Sequence, residues 1–236
     1  MLLESGIIGI IVGSSGTLLG GVLAMFIGKR AAEPRPFLAF AGGIMVAIVF
    51  FDLFVESASL CGISVMAGGA ALGGIVFSLL SPLFRDGSEV NSLYSMGLLV
   101  LIGIAFHNLP EGLAIGSTLA QNRGLAVSLA LLIFVHDIPE GIAVALPLRL
   151  SGMSVRKVLW LAFITGMPTA LGCVLGTTVG LISREMIALC VSFAGGAMLY
   201  ISLKELIPAG GGKTKALYSL LGLCTGIIIT TVMNLK

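Results

Sequence analysis

Long apolar stretches, each about the length needed to cross a bilayer, follow one another along nearly the whole chain and are separated by short polar breaks. A helix needs about 20 apolar residues to bridge a hydrocarbon core roughly 30 Å thick. The pattern therefore predicts eight membrane-spanning helices, near 6–28, 37–57, 63–84, 93–120, 124–148, 157–183, 185–208 and 215–235. The breaks near 29–36, 57–62, 85–92, 121–123, 149–156, 183–184 and 209–214 are too short to hold a soluble domain. The expectation is an all-α polytopic membrane protein whose residues 1–236 form one transmembrane domain.

Composition excludes the soluble alternative. Of 236 residues, 57% are hydrophobic and only 10% charged, with mean hydropathy +1.13. Soluble domains carry about 25% charged residues because their surfaces face water. This chain lacks the polar surface to cover itself, so the lipid bilayer is its expected surrounding partner. The first apolar run, Gly6 to Gly28, is followed by Lys29 and Arg30 and preceded by Glu4, the reverse of a secretory signal's charge order. No basic cluster of the nucleic-acid-binding kind occurs. The four cysteines, Cys61, Cys173, Cys190 and Cys224, form no C-x-x-C pair and read as small buried hydrophobes.

Sorted by alternate breaks, Lys29, Arg30, Arg35, Arg85, Arg149, Arg156, Lys157, Lys213 and Lys215 fall on one side, and Arg123, Arg184 and Lys236 on the other. Nine against three is a positive-inside bias, which places the first set in the cytoplasm and both termini outside. Small residues four apart, as in Gly9/Gly13, Gly69/Gly73, Gly112/Gly116, Gly172/Gly176 and Gly222/Gly226, suit close helix packing in lipid.

The chain also repeats itself. Phe40-Ala-Gly-Gly-Ile-Met recurs as Phe193-Ala-Gly-Gly-Ala-Met, and the same offset of 153 pairs Asp52-Leu53 with Glu205-Leu206. A weaker match at offset 152 sets Thr17-Leu-Leu-Gly-Gly-Val-Leu against Thr169-Ala-Leu-Gly-Cys-Val-Leu. Spans 1–3 and 6–8 thus read as an inverted repeat around spans 4 and 5, a build common in secondary transporters. The repeat sets Asp52 and Glu56 toward the outer end of span 2 and Glu205 toward the inner end of span 7, as candidate acids at the two mouths of a cation pathway.

Only two histidines occur, and both open the same kind of motif: His107-Asn-Leu-Pro-Glu-Gly on span 4 and His136-Asp-Ile-Pro-Glu-Gly on span 5. A charge at mid-membrane costs at least ~2.5–3.5 kcal/mol on insertion scales, so such residues mark function. Counting out from the turn at 121–123 places His107, Asn108, His136 and Asp137 at one depth, with Glu111 a turn above and Glu140 a turn below. A cation between the two helices could reach all six side chains. Pro110 and Pro139 also free the carbonyls of Phe106 and Val135 beside the histidines. Imidazole with carboxylate and amide oxygen suits Zn²⁺, Fe²⁺, Mn²⁺ or Co²⁺. The ion is read as transported substrate; no cofactor is expected. A membrane metalloenzyme would be richer in histidine, and no H-E-x-x-H occurs; a cation channel with the same ligands is the other rival, and saturable flux discriminates it.

With these motifs the sequence resembles the ZIP (Zrt/Irt-like) family of divalent metal transporters, and its bacterial members in particular. The resemblance implies one transporter domain, a bacterial inner-membrane location, uptake into the cytoplasm and a homodimer as the assembly to test. It implies a primary ion position at His107, Glu111, His136 and Glu140. A second ion would sit at Asn108, Asp137, Glu111 and Glu140, with the glutamates bridging. Three departures stand out: Thr169 where the family carries an acid, Lys204 where it often has an acid or histidine, and no histidine-rich loop between spans 3 and 4.

Overall fold

The computed structural model describes residues 2–30, 34–84, 89–179 and 184–234, and among these every regular element is helical. Seven helices are long and apolar enough to cross a membrane: α1 (Leu2–Ile27), α2 (Pro36–Leu83), α3 (Ser92–Gln121), α4 (Arg123–Leu150), α5 (Val155–Thr178), α6 (Arg184–Ala209) and α7 (Lys215–Val232). Arg85 and Lys236 of the charge pattern, and the ends of the predicted spans at 183 and 235, lie outside the described residues. The protein is a polytopic all-α membrane protein.

The second and third predicted spans run together in α2. Its 48 residues would measure about 72 Å as one straight helix, more than twice the hydrocarbon thickness. Gly62 interrupts it with φ 83° and ψ 168°, a conformation open to glycine and strained for any residue with a Cβ. Cys61 ends the first limb beside this break. Four other sites depart from regular α geometry. π-helical turns occupy Ile10–Ser14 in α1, Val49–Leu53 in α2 and Ser202–Leu206 in α6, and α5 breaks at Gly166 between Val155–Thr165 and Met167–Val179. The turns in α2 and α6 sit 153 positions apart, the spacing of the internal sequence match.

Polarity is inverted relative to a soluble protein. Leu3, Ile63, Leu79, Leu83, Leu131 and Ile228 are exposed, whereas His107, Asn108, His136, Asp137 and Glu140 are buried. α7 is the most peripheral helix, which leaves Cys224 exposed rather than buried as its apolar run predicts. All four cysteines are free thiols.

Helices pack in matched pairs: α1 on α4, α3 on α5, the first limb of α2 on α7, and its second limb on α6, with α3 and α4 side by side. Glycines set these distances. A Cβ at Gly112 would lie 2.1 Å from the carbonyl oxygen of Thr169 on α5, and one at Gly172 would lie 2.2 Å from that of Leu109 on α3. The same reciprocal contact joins α1 and α4, where Gly141 faces the carbonyl of Thr17 and Gly20 that of Ile138, each at 2.1 Å. Backbone meets backbone, so no larger residue fits.

Neighbouring glycines on α2 test this packing. A Cβ at Gly73 would lie 1.9 Å from Phe193 O, while at Gly74 the nearest atom, Gly196 O, is 3.7 Å away. Gly73→Ala should lower stability by about 1–3 kcal/mol through overpacking. Gly74→Ala should be neutral or stabilising by up to ~1 kcal/mol, because alanine is the better helix former. Thermal unfolding of the detergent-solubilised variants measures both, and equal midpoints would refute the close-contact reading.

Candidate metal site

The site is built where α3 and α4 lie antiparallel. Asn122 makes the reversal: it leaves the helix in an extended conformation, and its side-chain oxygen accepts from Gly124 N and Leu125 N at 3.0 and 3.1 Å, capping α4. The two motifs then face each other across the helix pair. The imidazole rings of His107 and His136 lie 5.5 Å apart between centroids, with their planes tilted by 31°.

Nε2 of His107 is 3.2 Å from Oε1 of Glu111 and 3.6 Å from Oε1 of Glu140; Nε2 of His136 is 3.4 Å from the same Glu140 oxygen. Although the sequence places Glu140 a turn below the histidines, its carboxylate reaches back to both rings. His107, Glu111 and His136 each offer one ligand atom, all within 4.8 Å of one another. Nδ1 of His136 faces Oδ2 of Asp52, 3.7 Å away on the π-turn of α2.

These groups converge without satisfying each other. Both ring nitrogens of His107, Nε2 of His136, Oε2 of Glu111 and both oxygens of Glu140 make no hydrogen bond among the described residues. Burying such groups unpaired costs several kcal/mol. A cation between the motifs would give one nitrogen of each ring and an oxygen of each carboxylate a partner at once. A cavity of about 70 Å³ opens beside them, lined by Asp52, Glu56, His107, Glu111 and His136 together with apolar residues including Pro110. Both acids placed by sequence at the outer mouth thus line the cavity that adjoins the histidines.

Asn108 and Asp137 also make contacts with α5 and α1. Asn108 donates from Nδ2 to the carbonyl of Thr165 at 2.9 Å, a contact set by the break of α5 at Gly166. Its amide oxygen keeps no partner. Asp137 is fully buried against Gly16 of α1, and neither of its oxygens is hydrogen-bonded. No ion pair or hydrogen bond links either residue to the histidines among the described residues. Three hydroxyls share this condition, Ser14 on the π-turn of α1, Thr169 on α5 and Ser202 on the π-turn of α6, all fully buried and unpartnered. Sequence reading marked Thr169 only as a departure and did not single out Ser14 or Thr165. The match of Thr17 to Thr169 was the one signal pointing toward this layer.

Glu205 lies elsewhere, accepting from Ser81 Oγ at 2.7 Å. Lys204 points outward instead, into a groove with Tyr200, Leu203 and Gly74. Outside the site, Glu4 and Arg123 pair across the ends of α1 and α4.

Comparison with known proteins shows the family. The model of the family described as ZIP Zinc transporter matches residues 84–234. The chain belongs to the ZIP family. It is 36% identical to the zinc transporter GufA of Myxococcus xanthus over 186 residues, 72% of this chain and 70% of that protein. A zinc transporter ZupT from Chlorobium luteolum is 29% identical over 248 residues, 90% of this chain and 93% of that one. Human zinc transporter ZIP11 is 39% identical over 135 residues, covering 52% of this chain and 40% of its own. Membership makes this ZIP chain an integral membrane transporter of divalent metal ions, not an enzyme.

Unsatisfied lone pairs at this density should make the fold respond to metal. Zn²⁺ at a hundred times its Kd should add about 2.7 kcal/mol to stability, read as a rise in Tm in detergent. The His107→Ala/His136→Ala double variant should lose most of that rise. A rise as large as the wild type's would remove the histidines from the site.

Proposed function

We propose that this protein is a secondary transporter that carries Zn²⁺ into the cytoplasm through a site between α3 and α4. The observation that carries the reading is the convergence of both histidine Nε2 atoms on the carboxylates of Glu111 and Glu140, without mutual hydrogen bonds, beside a cavity lined by Asp52 and Glu56. Two imidazoles and two carboxylates form a borderline donor set that suits Zn²⁺, with Fe²⁺, Mn²⁺, Co²⁺ and Cd²⁺ as competitors, and the relatives named above are zinc transporters. His107, Glu111, His136 and Glu140 hold the primary ion. Asn108 and Asp137, with the hydroxyls of Ser14 and Thr169 nearby, form an all-oxygen layer for a second ion.

In this reading the whole chain is one transporter domain with eight crossings. α2 crosses twice, turning at Gly62, so both termini lie outside and the nine-cation breaks lie in the cytoplasm of a bacterial plasma membrane. The crossings form an inverted repeat. Three features support that symmetry: π-turns 153 residues apart in α2 and α6, breaks of helix geometry at Ile10–Ser14 and Gly166, and reciprocal glycine contacts that use Thr17 on one side and Thr169 on the other. The sequence leads one to expect the repeats to rock against spans 4 and 5. The glycine contacts instead tie α1 and α5 to α3 and α4, so the moving unit is these four helices together, sliding against α2, α6 and α7. The ion enters past Glu56 and Asp52, exchanges water for the central ligands, and leaves near Glu205. Binding requires deprotonated ligands, so protons can take its place as it leaves.

Metal flux into proteoliposomes loaded with a fluorescent chelator tests the function. Saturable Zn²⁺ uptake is expected, reduced to background by Glu111→Ala and by Glu140→Ala. Uptake indifferent to both glutamates would overturn the assignment, and uptake linear in concentration would make the protein a channel.

The double crossing of α2 has its own measurement. In a variant whose other three cysteines are alanine, a membrane-impermeant maleimide added to right-side-out vesicles should label Cys61. Labelling only after permeabilisation would reverse the proposed orientation, and no labelling either way would sink the double crossing of α2.

A further inference from the structure

A groove of about 700 Å³ runs between α1 and the start of α5, lined by Leu18, Arg156, Lys157, Leu159, Trp160 and Phe163. It lies apart from the metal site and shares no residue with it. Its two ends differ in chemistry. Arg156 and Lys157 are exposed in the first turn of α5, and neither makes an ion pair or hydrogen bond among the described residues. Beyond them the lining is apolar. Trp160, 61% exposed, stacks on Phe163 with ring centroids 5.7 Å apart and planes at 13°, so the aromatic pair forms a flat wall.

Each feature constrains the occupant. Two adjacent unpaired cations call for an anion. A wall of Leu18, Leu159, Trp160 and Phe163 calls for a hydrocarbon chain, since no polar group in it could pay the desolvation of a peptide's backbone. Exposed tryptophan beside basic residues is the composition of the membrane–water interface, where indole sits at headgroup level. From Arg156 to Phe163 the helix rises about 10 Å, enough for a glycerophosphate and the upper part of an acyl chain. A molecule with an anionic head and an apolar tail, lying along the helix, answers all three.

We propose that this groove binds one anionic phospholipid, its phosphate between Arg156 and Lys157 and an acyl chain along Leu18, Leu159, Trp160 and Phe163. The lipid bridges α1 and α5, which carry Ser14 and Thr169 behind the metal site. The groove takes the lipid whatever ion the transporter carries.

Native mass spectrometry of the detergent-solubilised full chain, titrated with phosphatidylglycerol or phosphatidylcholine, tests it. A single high-affinity phosphatidylglycerol is expected, preferred roughly thirtyfold over phosphatidylcholine, from about fivefold per cation near the headgroup. Arg156→Gln/Lys157→Gln should abolish the preference, while Lys213→Gln/Lys215→Gln, which removes two cations from another break, should keep it. Trp160→Ala should weaken retention of both lipids. Equal affinity for the two lipids in the wild type would overturn the proposal, as would a preference that survives in the Arg156/Lys157 variant or falls equally in the Lys213/Lys215 variant. Glycerol 3-phosphate that displaces phosphatidylglycerol at matched concentration would show an anion site with no use for the acyl chain, which also overturns it.

Discussion

Inside a hydrocarbon layer there is no water to satisfy a polar group, so each donor and acceptor must find its partner within the protein or in what the protein carries. The backbone meets this demand by being helical along the spanning segments, apart from the breaks at Gly62 and Gly166. The side chains of His107, His136, Glu111 and Glu140 do not meet it among themselves: they approach to 3.2–3.6 Å and leave their lone pairs open. A soluble enzyme could solvate such a cluster. Here a cation is the economical partner, and everything around the cluster serves to keep the two motifs facing each other.

Glycine is the means. In lipid, apolar burial gives helices little reason to associate, and close contact must come from small residues. Gly112, Gly141, Gly20 and Gly172 let α1 and α5 meet α3 and α4 carbonyl to backbone. The four helices around the candidate site are thereby joined without intervening side chains that could yield. In the proposed transport cycle such a unit would transmit motion rather than absorb it, shifting as a whole against α2, α6 and α7 with its ligand geometry intact. α2 contributes the exception, because Asp52 and Glu56 reach the cavity from outside the unit.

The departures from the family pattern acquire a physical reading in this arrangement. Thr169 stands where the family resemblance leads one to expect an acid, and its hydroxyl joins Ser14, Asn108 and Asp137 as buried oxygen without a hydrogen-bonding partner, so the position offers an oxygen donor without a charge. Lys204 neighbours Glu205 in sequence, but successive helical residues point about 100° apart. Its ammonium therefore faces the outer groove and leaves Glu205 to Ser81.

The family, the helical class and the paired motifs were legible in the sequence, because apolar length and a four-residue spacing are local properties that any helix converts into span and face. The small-residue pairs were legible for the same reason, and Gly69/Gly73 and Gly112/Gly116 do sit at close contacts. Three matters were decided only by tertiary structure. Counting residues from the turn brings six side chains to one site; that Asn108 also reaches the Thr165 carbonyl on α5, and that Asp137 packs against Gly16 on α1, depends on the angle at which α3 and α4 meet their neighbours. Counting put Glu140 a turn below the histidines, while its flexible side chain spans that rise and meets both rings. Thr165 contributes its backbone carbonyl at the break of α5, and Ser14 its hydroxyl on the π-turn of α1, both placed by how those helices pack. Sequence periodicity sets which residues share a face; only the packed bundle sets which faces meet.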